Sequence, residues 1–400
     1  MMRFTKSLLA VAVALALGTG AAQAKTVKVG VVLPYTGGGA DFAKQIERGF
    51  KLYLKLNKAK LGGHEIEFIT RDSKRPGGDI SKVAVQELLT RDKVDILTGF
   101  VYSPNAMSAA PLVTAAKVPM VIMNAGTSFI PSMSPYFARV SFTMWQSGYH
   151  MGKYAAEKLG YKTAAAGFTN YPPGKDSAAA FKRGFEDSGG KVVDMIPMGG
   201  PRDVPDFVPF FQRVKDQKPN ALYMFVPAGS HATAVVKTFN SLGMPGAGIT
   251  LIGPGDITQD TKLQSMGDDA VGLVTVHHYS AEHDTPANRA FVKAWKAEYG
   301  ADTTPDFMAE QGYAGMAAIV DVIRELDGEI DADKAMAVLK GWKFDSPRGP
   351  IMIDAETRDI VHNEYVHKVI KKGGRLSMEV LATIPQVKDP CKELKVGKCK

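Results

Sequence analysis

The sequence is poor in cysteine and, beyond its first residues, in long apolar runs. Only two of its 400 residues are cysteines, Cys391 and Cys399, both within the last ten positions. Neither is placed as a nucleophile; in an oxidising compartment the two can close a small loop that pins the tail. No stretch after the N-terminal segment approaches the roughly 18 apolar residues that a membrane-spanning helix needs. A Gly-x-Ser-x-Gly elbow, a phosphate loop and a Gly-x-Gly-x-x-Gly following a strand are all missing, which argues against an enzyme and implies no cofactor. There is no short tandem repeat and no low-complexity tract. The lysines behind the net charge of +8 are scattered along helical stretches rather than gathered with aromatics, so no nucleic-acid face is expected. That basic balance reads as solvated surface with a weak pull toward anionic solutes.

What is present begins with a leader. Arg3 and Lys6 precede an apolar run from Leu8 to Leu17, which closes in Ala22-Gln23-Ala24. About ten apolar residues cannot cross a ~30 Å hydrocarbon core, so this segment reads as a signal peptide cleaved after Ala24, and the mature protein is expected in the periplasm. No cysteine follows the cleavage signal, so no lipid anchor is expected on Lys25. Taking 24 residues from 400 leaves 376, more than one core of ~100–200 residues holds, and two lobes are the default expectation.

The rest alternates between two periods. Val27 to Leu33 is a β-branched run ending at Pro34 and a glycine-rich turn; Phe42, Ile46, Phe50, Tyr53 and Leu54 then follow with helical spacing. Strands over 66–70, 94–97 and 121–123 alternate with helices over 80–90 and 104–116. The rhythm restarts after Trp145: strands over 164–168, 192–196, 221–225 and 250–252 alternate with helices over 146–159, 177–187, 207–215 and 230–242. Helices over 286–299 and 309–326 precede a strand-rich C-terminal segment. Strands alternating with helices of ten or more residues predict an α/β protein with two Rossmann-like lobes, parallel sheets and helices on both faces.

Val29-Gly-Val-Val-Leu-Pro34, Leu61-Gly-Gly-His-Glu65, Asp72, Gly99, Gly253-Pro254 and Gly272-Leu-Val-Thr275, taken in that order and spacing, resemble the type I periplasmic binding proteins of branched-chain amino acid transport, the leucine/isoleucine/valine-binding family. The resemblance covers essentially the whole mature chain. It implies three crossovers between lobes, near 142–146, 274–279 and 352–361, so that lobe one combines 25–142 with 279–352 and lobe two combines 143–278 with 353–400. It also implies a monomeric receptor that closes over a small molecule and delivers it to the membrane permease subunits of an ABC transporter.

In open α/β sheets ligands lie beyond the carboxyl ends of the strands. After the strand at 94–97, Ser103 is expected at the N-cap and Pro104 at the first helical position, leaving first-turn amides and the helix dipole to hold a carboxylate. After the strand at 121–123, Ala125 and Thr127 offer a second set of donors; the resemblance puts the family's carboxylate-binding serine, alanine and threonine on Ser103, Ala125 and Thr127. Tyr35, Tyr102 and Tyr171 lie near strand ends or helix starts, as do Phe42 and Phe129, and suit apolar walls for an organic acid. The sequence departs from the family where it counts for ligand identity. A second-lobe tyrosine falls on Ala228 or its neighbours. The ammonium-neutralising glutamate that follows Gly-Pro in the family is replaced by Gly255 and then Asp256. A buried ammonium without a counter-charge is costly, so either Asp256 takes that role or the ligand has no amine. The second option is favoured, an aromatic acid such as a benzoate or phenylpropenoate derivative; a branched-chain or other hydrophobic amino acid is the alternative, and a periplasmic sensor is a third reading.

Two histidine groupings, His277-His278-x4-His283 with Glu282 and His362-x4-His367 with Glu364, have metal-ligand residue types. The first follows a hinge strand, and the second lies on a strand where odd separations point to opposite faces. No metal site is expected; surface or hinge positions are, with His278 or Tyr279 reaching the cleft.

Overall fold

The computed structural model describes residues 24–399; the leader residues 1–23, including most of the cleavage signal, lie outside them. The first half runs β1 (Thr26–Leu33), α1 (Ala40–Asn57), β2 (Glu65–Asp72), α2 (Gly78–Thr90), β3 (Ile96–Gly99), α3 (Ser103–Ala116), β4 (Met120–Ile122) and β5 (Phe137–Arg139). These five strands form one sheet in the order β2-β1-β3-β4-β5, every pair parallel. Val29, Val31, Val32 and Leu33 are all buried, as expected of a strand covered on both faces. Its edge neighbour β2 exposes alternate residues.

The rhythm then repeats with α4 (Met144–Glu157), β6 (Thr163–Phe168), α5 (Pro172–Asp187), β7 (Lys191–Pro197), α6 (Val208–Gln217), β8 (Ala221–Phe225), α7 (Ser230–Ser241), β9 (Thr250–Pro254), α8 (Asp260–Met266) and β10 (Val274–His277). Strands β7-β6-β8-β9-β10 make a second parallel sheet. The chain continues through α9 (Pro286–Tyr299), α10 (Phe307–Glu325), α11 (Ala332–Leu339), β11 (Lys343–Ser346), β12 (Gly349–Ile353), β13 (Ile360–Lys372), β14 (Arg375–Val387) and α12 (Pro390–Glu393). Strand β13 adds antiparallel to β10 and also pairs with β12 and β14. The hairpin β11–β12 therefore extends the second sheet, while Phe344 on β11 packs against Tyr53 and Tyr313 of α1 and α10.

Each lobe has one tight helix crossing set by glycine. A Cβ on Gly49 of α1 would lie 2.0 Å from the Ala309 carbonyl of α10, and one on Gly312 would lie 2.2 Å from the Ile46 carbonyl. In the other lobe a Cβ on Gly152 of α4 would lie 2.4 Å from the Phe181 carbonyl of α5, and one on Gly184 would lie 2.0 Å from the Tyr149 carbonyl. Cys391 and Cys399 are bonded to each other, and the tail they close packs on Trp145 and Ala180.

Two arginines are wholly buried. Arg139 at the end of β5 pairs with Asp359 at 2.6 Å, and Arg348 pairs with Glu310 at 2.6 Å while donating to the Val140 and Ser141 carbonyls, just past β5 where the chain first leaves the N-terminal sheet. The five histidines of the two groupings are not on the surface: all are buried. His283 and His367 meet through their Nε2 atoms at 2.7 Å, His362 stacks on His278, and His362 also lies 3.3 Å from Glu364. Among the described residues no group of three or more His, Cys, Asp or Glu side chains is arranged to hold a metal ion.

Candidate functional site

A narrow cavity lies between the two lobes. The first sheet's side supplies Phe42, Val101, Tyr102, Ser103, Asn124, Gly126 and Phe142, together with Met308 from α10; the second supplies Met144, Tyr171, Pro173, Phe225, Pro227, Ala228 and Asp256. An apolar, aromatic wall with a few polar groups is the usual composition of a small-molecule site.

The polar end is built from two loops tied together. Gly99 ends β3 at φ +100° and Phe100 follows at φ +62°, a left-handed conformation that a bulky side chain takes only when its surroundings enforce it. They enforce it here: the Phe100 amide donates to the Val32 carbonyl at 2.8 Å, and the Met123 and Ala125 amides donate to the Gly99 and Phe100 carbonyls at 2.9 and 3.0 Å. The Asn124 side-chain amide adds a bond to the Val101 carbonyl at 2.8 Å. Behind the second loop Arg139 donates to the carbonyls of Ala125 (2.7 Å), Thr127 (2.8 Å) and Ser128 (3.1 Å). These bonds fix the loop's backbone, whose Ala125, Thr127 and Ser128 amides donate to the Phe100 carbonyl, Ser103 Oγ and Asp176.

Helix α3 starts at Ser103, with Tyr102 at its N-cap and no side-chain cap bond, so the expected capping role of Ser103 is not filled. Its hydroxyl instead accepts from the Thr127 amide at 3.2 Å and keeps its own proton for another partner. The expected array of first-turn amides is also narrower. Pro104 has no N–H, and the Asn105 and Ala106 amides both turn to the Tyr102 carbonyl, at 3.0 and 3.2 Å. The hydroxyl of Thr127 is buried without a partner, as is Oδ1 of Asn124. The anion-binding equipment at this wall is thus the Ser103 hydroxyl, with that of Thr127 behind it, rather than a bare helix end.

The opposite wall carries one carboxyl group. Asp256 opens the turn after β9 and is 7% exposed; its Oδ2 has no partner, and burial raises its pKa to about 7. His277 at the end of β10 holds its Nε2 4.0 Å from that oxygen, and burial keeps the imidazole neutral, with a pKa of about 3. Tyr171 stacks on Phe225 at 6.2 Å, and Tyr102 has its hydroxyl pKa raised by burial to about 12, so it remains a neutral phenol.

Of the residues singled out from sequence, Tyr102, Ser103, Tyr171 and Asp256 line this one cavity, and Ala125 and Thr127 sit directly behind Ser103 in the loop gripped by Arg139. Ala228, the position where the family tyrosine was missing, is in the wall as well. Three residues fall elsewhere. His278 is stacked behind Phe142 and bonded to Gln311 at 3.0 Å, so that Phe142 and not the histidine faces the cleft; Tyr279 is likewise not in the lining. Tyr35 is outside the lining too: its amide donates to Asp72 at 2.8 Å, and the same carboxylate receives Thr36 and Lys74, which fixes the turn after β1. Sequence reasoning missed Phe142, Phe225, Met144 and Met308, apolar residues that look like core in a linear reading, and Arg139, whose contacts span the chain.

Comparison with known proteins agrees with this architecture. Residues 26–375 match the family model described as periplasmic binding protein. A Leu/Ile/Val-binding protein homolog 6 from Brucella melitensis is 38% identical over 351 residues, 88% of this chain and 89% of that protein. A solute-binding protein of an ABC transporter from Rhodopseudomonas palustris BisB5, in complex with 3,4-dihydroxybenzoic acid, superposes with a TM-score of 0.87 at 45% identity, covering 92% of this chain and 99% of that one. Another R. palustris solute-binding protein, in complex with 4-hydroxybenzoate, gives 0.87 at 36% identity, covering 91% and 98%. The chain therefore belongs to the periplasmic binding protein family, as a solute-binding protein of the ABC-transporter type.

Proposed function

We propose that the protein captures a single-ring aromatic carboxylate in the periplasm, after loss of its leader, and presents it as a monomer to the permease of an ABC importer. The observation that carries this reading is the division of labour in one cavity: the Ser103 hydroxyl on one wall with Thr127 behind it, aromatic and aliphatic surfaces between, and one carboxyl, Asp256, its pKa raised by burial to about 7, on the other. Solute-binding proteins 45% and 36% identical to this one hold dihydroxybenzoic and hydroxybenzoic acids, which supports the same ligand class here. Burying ~150–200 Å² of ring surface contributes about 4–5 kcal/mol, against ~0.5–1.5 for one hydrogen bond, so the ring governs affinity and the carboxylate governs orientation. Binding starts on lobe one, and rotation about crossovers near 142–146, 274–279 and 352–361 brings lobe two over the ring.

A hydrophobic amino acid is the second reading, favoured by the relative described as Leu/Ile/Val-binding; Asp256 would then face the ammonium. Calorimetric titration of the mature protein with benzoate, 4-hydroxybenzoate, leucine and valine separates the two. Binding of the aromatic acids and not of leucine is expected; tight binding of leucine with none of the acids overturns the proposal.

A further inference from the structure

We infer that Asp306 is a positioning residue for ligand capture: its carboxylate fastens the second-lobe turn that carries Asp256 onto the first-lobe helix turn that carries Met308. The inference does not depend on which acid is bound. Met308 and Asp256 both line the cavity, one in the first turn of α10 and one just past β9. Helix α10 belongs with the first sheet through its glycine crossing with α1, whereas α8 follows β9 of the second. Between them Asp306 uses both of its oxygens. Oδ1 caps α10 by accepting from the Met308 and Ala309 amides at 3.1 and 3.2 Å. Oδ2 accepts from the Gln259 side-chain amide at 2.5 Å and the Thr261 hydroxyl at 3.2 Å, both at the start of α8.

A helix cap alone does not need a carboxylate. Serine or threonine at this position would cap α10 with one oxygen; a carboxylate brings a second acceptor beside it. That second oxygen matters because Asp306 and Gln259 are only 0% and 1% exposed, and a buried donor or acceptor left unpaired costs more than an ordinary bond contributes. The neighbouring contacts run the same way. Lys262 of α8 pairs with Asp41 in the first turn of α1 at 2.8 Å. Asp260 accepts from the Ser280 hydroxyl and the Ala281 amide at 2.9 and 3.0 Å, where the chain has left β10 on its way to α9. Four consecutive residues, Gln259 to Lys262, therefore grip Asp306, Ser280, Ala281 and Asp41, beginning three positions after Asp256. Carrying Asp256 away from Met308 parts the Gln259–Asp306 bond, so the pair holds the closed form and the ligand within it.

The test reverses the polarity of the pair in the mature protein. Gln259→Glu sets two acceptors against each other. Adding Asp306→Asn restores a donor facing an acceptor, with the roles exchanged, and keeps an oxygen to cap α10. Asp306→Ser keeps the cap and lacks the second oxygen. Affinity and dissociation rate are measured with 4-hydroxybenzoate, or with leucine if the wild type binds that instead, so failure of the aromatic-acid reading leaves this test intact. Gln259→Glu and Asp306→Ser should each bind about 10- to 100-fold more weakly than wild type, the loss appearing as faster dissociation. The double variant should return to within about threefold of wild type. Urea unfolding of the ligand-free proteins reports the fold alone. Unchanged affinity in the single variants overturns the proposal, even where their unfolding midpoints fall. A double variant no tighter than Gln259→Glu overturns it too, because the two side chains then do not act as a pair, and so does a loss carried by slower association.

Discussion

Arg139 is the residue whose replacement tests the architecture of the site most directly. It is wholly buried, ion-paired with Asp359, and donates to three successive-loop carbonyls, those of Ala125, Thr127 and Ser128, at 2.7–3.1 Å. Arg139→Met keeps most of the volume and removes every donor. Breaking a buried ion pair from one side costs about 3–5 kcal/mol. Asp359 is spared part of that because Lys392 also contacts it. Each carbonyl left without its charged donor adds about 1–3 kcal/mol, reduced where the loop can shift to meet water. After those reductions the expected loss is at least about 4 kcal/mol. Urea unfolding followed by tryptophan fluorescence measures it, and titration with 4-hydroxybenzoate should show at least about tenfold weaker binding, since the loop that holds the Ser103 hydroxyl through the Thr127 amide loses its support. Arg139→Lys should fall between, because one ammonium cannot span four acceptors. A Met variant within about 1 kcal/mol of wild type would refute the clamp; a large stability loss with unchanged affinity would refute its role in aiming the loop.

Ser103→Ala should weaken binding of the same ligand by about 1–3 kcal/mol with little change in the unfolding midpoint, and unchanged affinity would remove Ser103 from the site. Gly152→Ala forces a methyl against the Phe181 carbonyl of α5 and should cost about 1–3 kcal/mol of stability; a neutral result in denaturant titration would mean that the α4–α5 crossing has slack. Acid should expose the buried histidines. The folded-state pKa of His367 is depressed from 6.5 to about 3 by burial, so its contribution to stability is complete above pH 6.5 and is lost as pH falls toward 3. Between pH 7 and 5 the wild type should lose about 2 kcal/mol from this group that His367→Gln does not lose, and parallel stability curves for the two proteins would contradict it. Asp256, Asp260 and Glu364 act in the opposite direction, their raised pKa values of about 7, 7 and 8 weakening the fold as pH rises through them, which is why the comparison of variant with wild type is more telling than either curve alone.

The amino-acid order by itself determined the alternation of strands and helices, because β-branched runs and 3.6-residue spacing are local properties and parallel sheets follow from long crossovers. It also placed Ser103, Asp256 and Tyr171 at strand ends, the positions that any α/β sheet turns toward a ligand. Tertiary structure alone decided which of those ends face one another. Tyr35 and His278 sit at equally suitable positions in the sequence, yet one is held in a turn by Asp72 and the other is screened by Phe142. It also decided which charges go inside: Arg139 finds Asp359 across 220 residues, a pairing with no local signature, and without that partner a buried arginine would be too costly to keep. His277 and Asp256 come together for the same reason. Strands β9 and β10 are neighbours in the sheet, and the hydrogen-bonded register between them brings Asp256, just past the end of β9, beside His277, at an approach that only Gly255 leaves room for.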